Sequence, residues 1–260
     1  MNQKVFSIII ATYNCGRKIE PTIQSILSQN KDLFELIIID GASTDDTLEY
    51  IKKYENDLKL ISEKDDGIYY AFNKGIDLAT GKYLYFIGAG DILREGVLER
   101  VNKALPSENP AFVYGDVYLK EKQLYERGAR SNLNFAARLI CHQTIFYHRN
   151  IFQLIGKYDL QYKILADLAF NFKCFGNRQI KKHYIECVVA DFEEGGISST
   201  MEDSNFRKDL PRLIKNNLGM KSYIYYKADA ISFDIYWKLY FPFVRPYISA
   251  VKRLKDSSSS

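Results

Sequence analysis

Long apolar runs and paired cysteines are the two features that this 260-residue chain lacks. No stretch approaches the roughly 18 consecutive apolar residues that a membrane-spanning helix needs, and the first residues show no signal-peptide pattern. The four cysteines lie far apart and form no C-x-x-C pair, so the sequence predicts neither a zinc site nor a disulfide framework. We therefore expect a cytoplasmic protein.

Several common nucleotide-binding and catalytic fingerprints are also missing. No G-x-G-x-x-G follows the first predicted strand, and no G-x-x-x-x-G-K-[ST] or G-x-S-x-G occurs. Their absence argues against a classical dinucleotide-binding enzyme, a P-loop NTPase and an α/β-hydrolase. Residues 88–91 read G-A-G-D, but no lysine follows at the spacing of a phosphate loop.

The net charge of +4 is small, and the seven basic and three acidic residues after position 220 account for all of it. So small and local a charge does not predict nucleic acid as a partner. Aromatic residues are dense in 221–256, and aromatic and cationic side chains together suit a membrane interface. We predict peripheral contact of 221–256 with the inner face of the plasma membrane. Packing on the body of the protein, or in a homodimer interface, is the alternative.

Strands and helices alternate with short connections in the first 90 residues, which predicts a parallel sheet covered on both faces. Ligands of such sheets bind beyond the carboxyl ends of the strands. Thr12, Asn14, Asp40 and Asp91 all fall there, so the sequence predicts one site. The predicted strands are 5–10, 34–39, 58–61 and 82–87, and the predicted helices are 17–29, 43–54 and 68–78.

The second half is less regular, and a helical, basic and aromatic appendage is predicted to follow it. We predict a first domain at 1–200, with halves at 1–105 and 106–200, then an appendage at 201–256 and disordered residues at 257–260. The predicted strands of this half are 111–118, 123–125 and 184–190, the first two as a hairpin. The predicted helices are 150–155, 166–175, 202–217 and 229–241.

Six tracts occur in a fixed order: S-I-I-I-A-T-Y-N (7–14), E-L-I-I-I-D-G-A-S-T-D-D-T (35–47), E-K-D-D-G-I-Y-Y-A-F-N-K-G-I (63–76), A-T-G-K-Y-L-Y-F-I-G-A-G-D (79–91), C-H-Q-T-I-F-Y-H-R (141–149) and K-I-L-A-D-L-A-F (163–170). Together they strongly resemble glycosyltransferase family 2 over about residues 4–200. The third and fifth tracts are similar to the bacterial branch that builds O-antigens, capsules and exopolysaccharides. The resemblance implies an α/β, GT-A fold with a Rossmann-like, mostly parallel sheet flanked by helices.

The resemblance implies inverting transfer from a nucleotide sugar, with a UDP-sugar favoured, to a hydroxyl of a glycan or lipid-linked acceptor. A sugar nucleotidyltransferase and a non-catalytic nucleotide-sugar-binding protein are the alternatives. For Asp40 a simple Asp-Gly turn is the other interpretation, and for Lys74 an ordinary exposed helix. The residues that the resemblance places against the sugar donor are Ala11, Thr12, Tyr13, Asn14, Asp40, Asp66, Asn73 and Lys74.

Asp91 is the candidate ligand for Mg²⁺ or Mn²⁺, because negative charge grows on a departing nucleoside diphosphate and must be met by a cation. The family carries an acidic D-x-D-type cluster at this place, whereas this chain retains only the last acid of G-A-G-D. One carboxylate together with diphosphate oxygens can hold Mg²⁺. A helix cap is the alternative role for Asp91.

Inverting transfer to an alcohol needs one carboxylate as base. Asp167 lies among apolar residues at a predicted helix start, and the resemblance assigns it as that base, with a helix cap as the alternative. His142 and Gln143 resemble the H-Q tract of the family and are placed on the acceptor side. A hydrogen-bonded core histidine is the alternative for His142.

Overall fold

One mixed sheet of nine strands organises the residues that the computed structural model describes, 3–193 and 202–231. The strand order is β3-β2-β1-β4-β8-β6-β9-β5, and β7 pairs with β6. The strands are β1 (Phe6–Thr12), β2 (Phe34–Asp40), β3 (Lys59–Ser62), β4 (Tyr83–Phe86), β5 (Ile92–Leu93), β6 (Ala111–Leu119), β7 (Leu124–Glu126), β8 (Ile145–His148) and β9 (Lys181–Phe192).

Helices cover this sheet, and the predicted α/β class is confirmed. The helices are α1 (Ile19–Leu27), α2 (Thr47–Lys52), α3 (Ile68–Leu78), α4 (Val97–Ala104), α5 (Asn150–Ile155), α6 (Ala166–Gly176) and α7 (Ser204–Leu218), and residues 220–231 are also helical. The sequence analysis did not predict α4, β5 or β8. The helix predicted at 229–241 starts earlier, at residue 220, and its part beyond 231 lies outside the described residues.

The helix predicted from Ser43 begins only at Thr47, with Asp46 at its N-cap. The reason is local, because the Ser43 hydroxyl oxygen accepts from the Asn14 N–H (2.9 Å) and the hydroxyl donates to the Asp40 carboxylate. Ser43 therefore binds the end of β2, whereas the sequence pattern had assigned it to the start of the helix.

Strands β1 to β4 pair in parallel, so their carboxyl ends meet at one edge of the sheet. The register places Thr12 opposite Asp40, and Asp40 opposite Ser62. Beyond β4 the sheet continues through the antiparallel strand β8, so the two predicted halves of the first domain share one sheet. The predicted boundary between these halves, at 105, stays a prediction.

Alternate residues of β1 enter two different cores, one on each face of the sheet. Ile8 and Ile10 pack with α1, α2 and α4, whereas Ile9 and Ala11 pack with α3, α5, α6 and α7. Helix α3 approaches β1 so closely that a Cβ at Gly75 would lie 2.5 Å from Ile9 Cγ2. This contact fixes the tract that precedes α3 against the edge of the sheet.

Candidate active site

Asp40 lies at the end of β2 and is fully buried. Its carboxylate accepts hydrogen bonds from the Ser43 backbone N–H (2.9 Å), the Ser43 hydroxyl and the Ser62 hydroxyl (2.7 Å). Three donors hold one orientation of the side chain, which gives the predicted nucleotide site a fixed acceptor. The predicted contact of Asp40 with the sugar donor stays a prediction.

The turn after β1 is held by Asn14, which adopts a positive φ of 45°. Its backbone N–H donates to the Ser43 hydroxyl (2.9 Å), and its side-chain oxygen accepts from the Thr44 N–H (2.8 Å). Tyr13 is 63% exposed on this turn, and its ring passes close to Gly41. An exposed ring beside a fixed carboxylate is a surface on which a base can stack.

Sequence reasoning chose Asp66 for this site, but the structure brings Asp65 to it. A Cβ at Gly41 would lie 3.3 Å from Asp65 Oδ2, and burial, with added repulsion from Asp40 and Asp66, raises the pKa of Asp65. Asp66 is exposed and faces a cavity beside α3. Because the two aspartates are adjacent in sequence, the sequence did not indicate which of them lies against Gly41. Binding of the sugar donor by Asp66 stays a prediction.

Ala11 and Thr12 complete the end of β1, and Asn73 and Lys74 lie on α3. Ala11 and Thr12 are both buried. The Asn73 amide exchanges hydrogen bonds with the backbone of Tyr158 (2.9 and 3.0 Å), and Lys74 pairs with Glu63. Asn73 therefore holds the loop at 156–165, which we call the α5–α6 loop. The predicted contacts of these four residues with a sugar donor stay predictions.

Asp91 follows the glycine-rich turn after β4 and is only 4% exposed. Its Oδ1 accepts from the Glu193 N–H (2.9 Å), and its Oδ2 accepts from Gln143 Nε2 (3.0 Å) and the Gly88 N–H (3.2 Å). Burial raises the pKa of Asp91 to about 6, although these hydrogen bonds and Lys120 favour the ionised form. The carboxylate is thus fixed at the sheet edge rather than free in solvent.

The surroundings of Asp91 fit a cation that shares its ligands with a substrate. A Cβ at Gly88 would lie 3.0 Å from Asp91 Oδ2, so the glycine lets the turn pass close to this carboxylate. Within residues 3–193 and 202–231, no three His, Cys, Asp or Glu side chains form a metal cluster. Mg²⁺ is commonly held by one or two carboxylates and substrate phosphates, and Asp91 fits that pattern.

Glu193, whose backbone N–H donates to Asp91, also pairs with two lysines. Lys18 Nζ is 3.2 Å from Glu193 Oε1, and Lys120 Nζ is 3.9 Å from Glu193 Oε2. Lys120 also donates to the Gly90 carbonyl oxygen (3.0 Å). Sequence reasoning missed both lysines because they are far from Asp91 along the chain. They supply positive charge close to Asp91.

The H-Q tract connects Asp91 with the surroundings of Asp167. Gln143 donates to Asp91, whereas the His142 ring stacks on Phe86 at 5.5 Å between centroids and its Nε2 lies 3.2 Å from the Tyr158 hydroxyl. Burial lowers the pKa of His142, and the charge of Asp167 acts in the opposite direction. The predicted acceptor-side role of His142 and Gln143 stays a prediction, but Gln143 also orients Asp91.

Asp167 lies half-buried in the first turn of α6. The Tyr69 hydroxyl lies 2.6 Å from both Asp167 Oδ1 and the Ile164 carbonyl oxygen, so it can donate to either acceptor. Burial and the charge of Asp167 raise the pKa of Tyr69 well above its ordinary value, so the phenol stays protonated. A fixed, partly accessible carboxylate results, and this arrangement suits a proton acceptor.

Asp203 is a site-supporting residue that the sequence analysis missed. It is 7% exposed, and its Oδ1 caps α7 by accepting from the Phe206 N–H (3.0 Å). Its Oδ2 accepts from the N–H groups of Ile164 (2.9 Å) and Leu165 (3.2 Å). One carboxylate from the predicted appendage thus holds the residues that directly precede α6 and Asp167. The helix was predicted to start at 202, so Asp203 fell within its first turn and was not recognised as the N-cap.

The sequence profile described as Glycosyl transferase family 2 matches residues 7–187. The chain belongs to glycosyl transferase family 2. It is 41% identical over 230 residues to a PGL/p-HBAD biosynthesis glycosyltransferase of Mycobacterium tuberculosis, a match that covers 85% of this chain and 89% of the relative. The predicted family and the predicted enzyme class, a glycosyltransferase, are confirmed.

Solved structures confirm the predicted GT-A fold. Staphylococcus aureus TarS 1–349 in complex with UDP-GlcNAc superposes with a TM-score of 0.66 at 20% identity, covering 82% of this chain and 66% of that one. The mannosyltransferase PcManGT from Pyrobaculum calidifontis, in complex with GDP-Man and Mn²⁺, superposes with a TM-score of 0.60 at 15% identity, covering 90% and 75%. Both of these neighbours were solved with a nucleotide sugar.

Among the residues that the structure describes, no helix is both long enough and apolar enough to cross a bilayer.

Proposed function

We propose that this glycosyltransferase moves a sugar, with inversion, from a UDP-sugar to a hydroxyl of a glycan acceptor. The acceptor would be a lipid-linked precursor of a surface polysaccharide, used at the inner face of the plasma membrane. The observation that carries the proposal is the pair of hydrogen-bonded carboxylates, Asp91 with Gln143 as a donor and Asp167 with Tyr69 as a donor. UDP is preferred because the TarS neighbour binds UDP-GlcNAc.

Asp167 is the proposed base. It takes the proton of the acceptor hydroxyl as the oxygen attacks the anomeric carbon, and the bond from that carbon to the diphosphate breaks on the opposite side. An α-linked donor then yields a β-linked product. When Tyr69 donates to Asp167 Oδ1, the second carboxylate oxygen is left to face the acceptor.

The negative charge on the leaving diphosphate would be neutralised by a cation bound at the other carboxylate, Asp91. Asp91 would hold Mg²⁺ or Mn²⁺ together with phosphate oxygens, and the ion neutralises the departing charge when it is bound. Lys18 and Lys120 would approach the same phosphates after release from Glu193. Residues 193–198, E-E-G-G-I-S, resemble a loop of the bacterial branch of the family, and from 194 onward they lie outside the described residues.

The two alternatives are less well supported. Family membership and the similarity to a glycosyltransferase favour sugar transfer over nucleotidyl transfer. A non-catalytic nucleotide-sugar-binding protein was suggested by the reduced acidic cluster at 88–91. Family membership and the similarity to a named glycosyltransferase favour an enzyme over this alternative as well.

Calorimetry with UDP and GDP, with and without Mn²⁺, tests the proposal, with turnover of the matching nucleotide sugars. We expect UDP to bind more tightly than GDP, and Mn²⁺ to strengthen the binding. Asp91→Asn, which keeps the shape of the side chain, should remove the Mn²⁺ effect. Equal affinity of both proteins for UDP with Mn²⁺ would remove Asp91 from the metal site. Absence of any nucleotide binding would refute the proposed function.

A further inference from the structure

A cavity of about 310 Å³ lies between the start of α3 and the α5–α6 loop. This volume is at the lower end of the roughly 300–1,000 Å³ typical of small-molecule sites, so it suits one or two sugar rings. The lining residues are Asp66, Gly67, Tyr69, Tyr70, Leu160, Tyr162 and Lys163.

The cavity shares a wall with the surroundings of Asp167. Tyr69 lines it and also places its hydroxyl 2.6 Å from Asp167 Oδ1. A molecule in the cavity is therefore separated from the proposed base by one side chain. The cavity is thus next to the proposed base, with only the Tyr69 ring between them.

The far wall of the cavity is held by α7. The Tyr162 hydroxyl donates to Asp209 (2.9 Å), and Asn205 donates to the Gln161 carbonyl oxygen (3.0 Å). With Asp203 bound to the backbone N–H groups of Ile164 and Leu165, the loop is anchored on both sides of Lys163. An anchored wall is preorganised, which reduces the entropy lost on binding.

The chemistry of the lining combines apolar contact area with polar groups of opposite charge. Tyr70 is 41% exposed, and its ring and Leu160 offer apolar surface to the C–H face of a sugar. Asp66 can accept from sugar hydroxyls, and Lys163 can donate to them. Because one acid and one base line the cavity, it has no strong preference for a charged ligand.

We propose that this cavity binds the acceptor, and that the acceptor presents a neutral pyranoside there. The proposal rests on the proposed function, because an acceptor site is meaningful only in a transferase. It assigns Asp66 to the acceptor and leaves the sugar donor to the side of Asp40 and Asp65. Neither of the two proposed reacting carboxylates, Asp91 and Asp167, lines the cavity.

Saturation-transfer NMR on the full chain with UDP present tests the proposal. The probes are methyl and 4-nitrophenyl pyranosides of glucose, galactose, mannose and N-acetylglucosamine. We expect at least one probe to bind, and Tyr70→Ala and Lys163→Ala each to weaken its Kd about tenfold while the Kd for UDP changes less than twofold. Tyr125→Ala is the matched control, because Tyr125 is a comparably exposed tyrosine (43%) on β7.

The outcomes separate the two proposals. No pyranoside binding, or equal binding by Tyr70→Ala and wild type, overturns the cavity assignment, and intact UDP binding leaves the proposed function standing. Weaker UDP binding in Asp66→Asn, with pyranoside binding unchanged, returns the cavity to the sugar donor and also overturns the assignment. Failure of the wild type to bind UDP would refute both.

Discussion

At the ends of β1, β2 and β3 the candidate nucleotide site is assembled from neighbours in register, whereas three segments far apart in sequence meet around Asp167. Thr12, Asp40 and Ser62 are aligned by parallel pairing. Around Asp167, Tyr69 and Asp203 arrive from other elements and bind the same short stretch of backbone. The first region depends on sheet geometry, and the second depends on a few hydrogen bonds.

This difference predicts where single substitutions separate binding from turnover. Parallel strands keep their register when one side chain is lost, so changes at the β1–β3 edge should alter mainly affinity for the sugar donor. The position of Asp167 relies on long-range contacts, and a shift of about 1 Å in a reacting group can lower a rate about 10²-fold. Changes near Asp167 should alter mainly kcat.

Asp167→Asn should have the largest effect. Asparagine keeps the shape of the side chain but cannot take a proton, so we expect kcat to fall at least about 10²-fold with the KM for the sugar donor nearly unchanged. Steady-state kinetics and NMR of the anomeric proton of the product provide the measurements. Asp77→Asn, on the exposed side of α3, is the control. Near-normal turnover, or retention of configuration, would exclude Asp167 as the base.

Asp91 should give the next largest effect, in stability without added metal. Its folded pKa of about 6 exceeds the unfolded value of about 3.9, so its ionised form is disfavoured in the folded protein. This contribution is present below about pH 4 and is lost as pH rises through about 6, by at most about 3 kcal/mol. In urea unfolding, the wild type should therefore lose stability relative to Asp91→Asn over that interval. A difference that does not vary with pH would contradict the raised pKa.

Asp203→Asn and Ser43→Ala form a pair that tests the comparison directly. Asp203→Asn weakens the grip on Ile164 and Leu165, and we expect kcat to fall about tenfold with donor KM unchanged. Ser43→Ala loosens Asp40, and we expect donor KM to rise about tenfold with kcat unchanged. A purely structural role for Asp203 would lower the amount of active enzyme without this split. The same kinetic pattern in both variants would refute the contrast.

Truncation after residue 231 should have the smallest effect on turnover. Tyr223 and Tyr226 pack against the core beside α7, so the cut spares them and removes only residues outside the described part. We expect kcat with a soluble acceptor to stay within twofold, and sedimentation with anionic vesicles to fall. Binding of the wild type should also weaken with salt, because each basic residue near an anionic surface contributes about 1 kcal/mol. Equal, salt-independent sedimentation of both proteins would contradict a membrane role for 221–256.

The sequence predicted the β1–β3 edge well, because its side chains follow apolar runs directly. The predicted bounds of α3 agree with the structure at both ends, and the hairpin of β6 and β7 is confirmed. The choice between Asp65 and Asp66 could not be made from sequence, since it depends on how one turn passes Gly41.

The surroundings of Asp167 were harder to predict. A motif identified the acid, but the partners Tyr69 and Asp203 lie 98 and 38 to 39 residues away from the groups that they bind. Periodicity and spacing carry no information about such contacts. The short strand β8 was missed for a related reason, because its role is defined by pairing between β4 and β6 rather than by its own pattern.

The double attachment of Asp203 has a consequence for modular engineering. Its two oxygens join the start of α7 to the loop before α6, so the stretch that matches the family, 7–187, does not contain everything that positions Asp167. Chimeras that exchange only this stretch between relatives would contain the loop before α6 without the Asp203 hydrogen bonds that hold it. Residues 159–167 and 203–209 would have to be exchanged as one cassette.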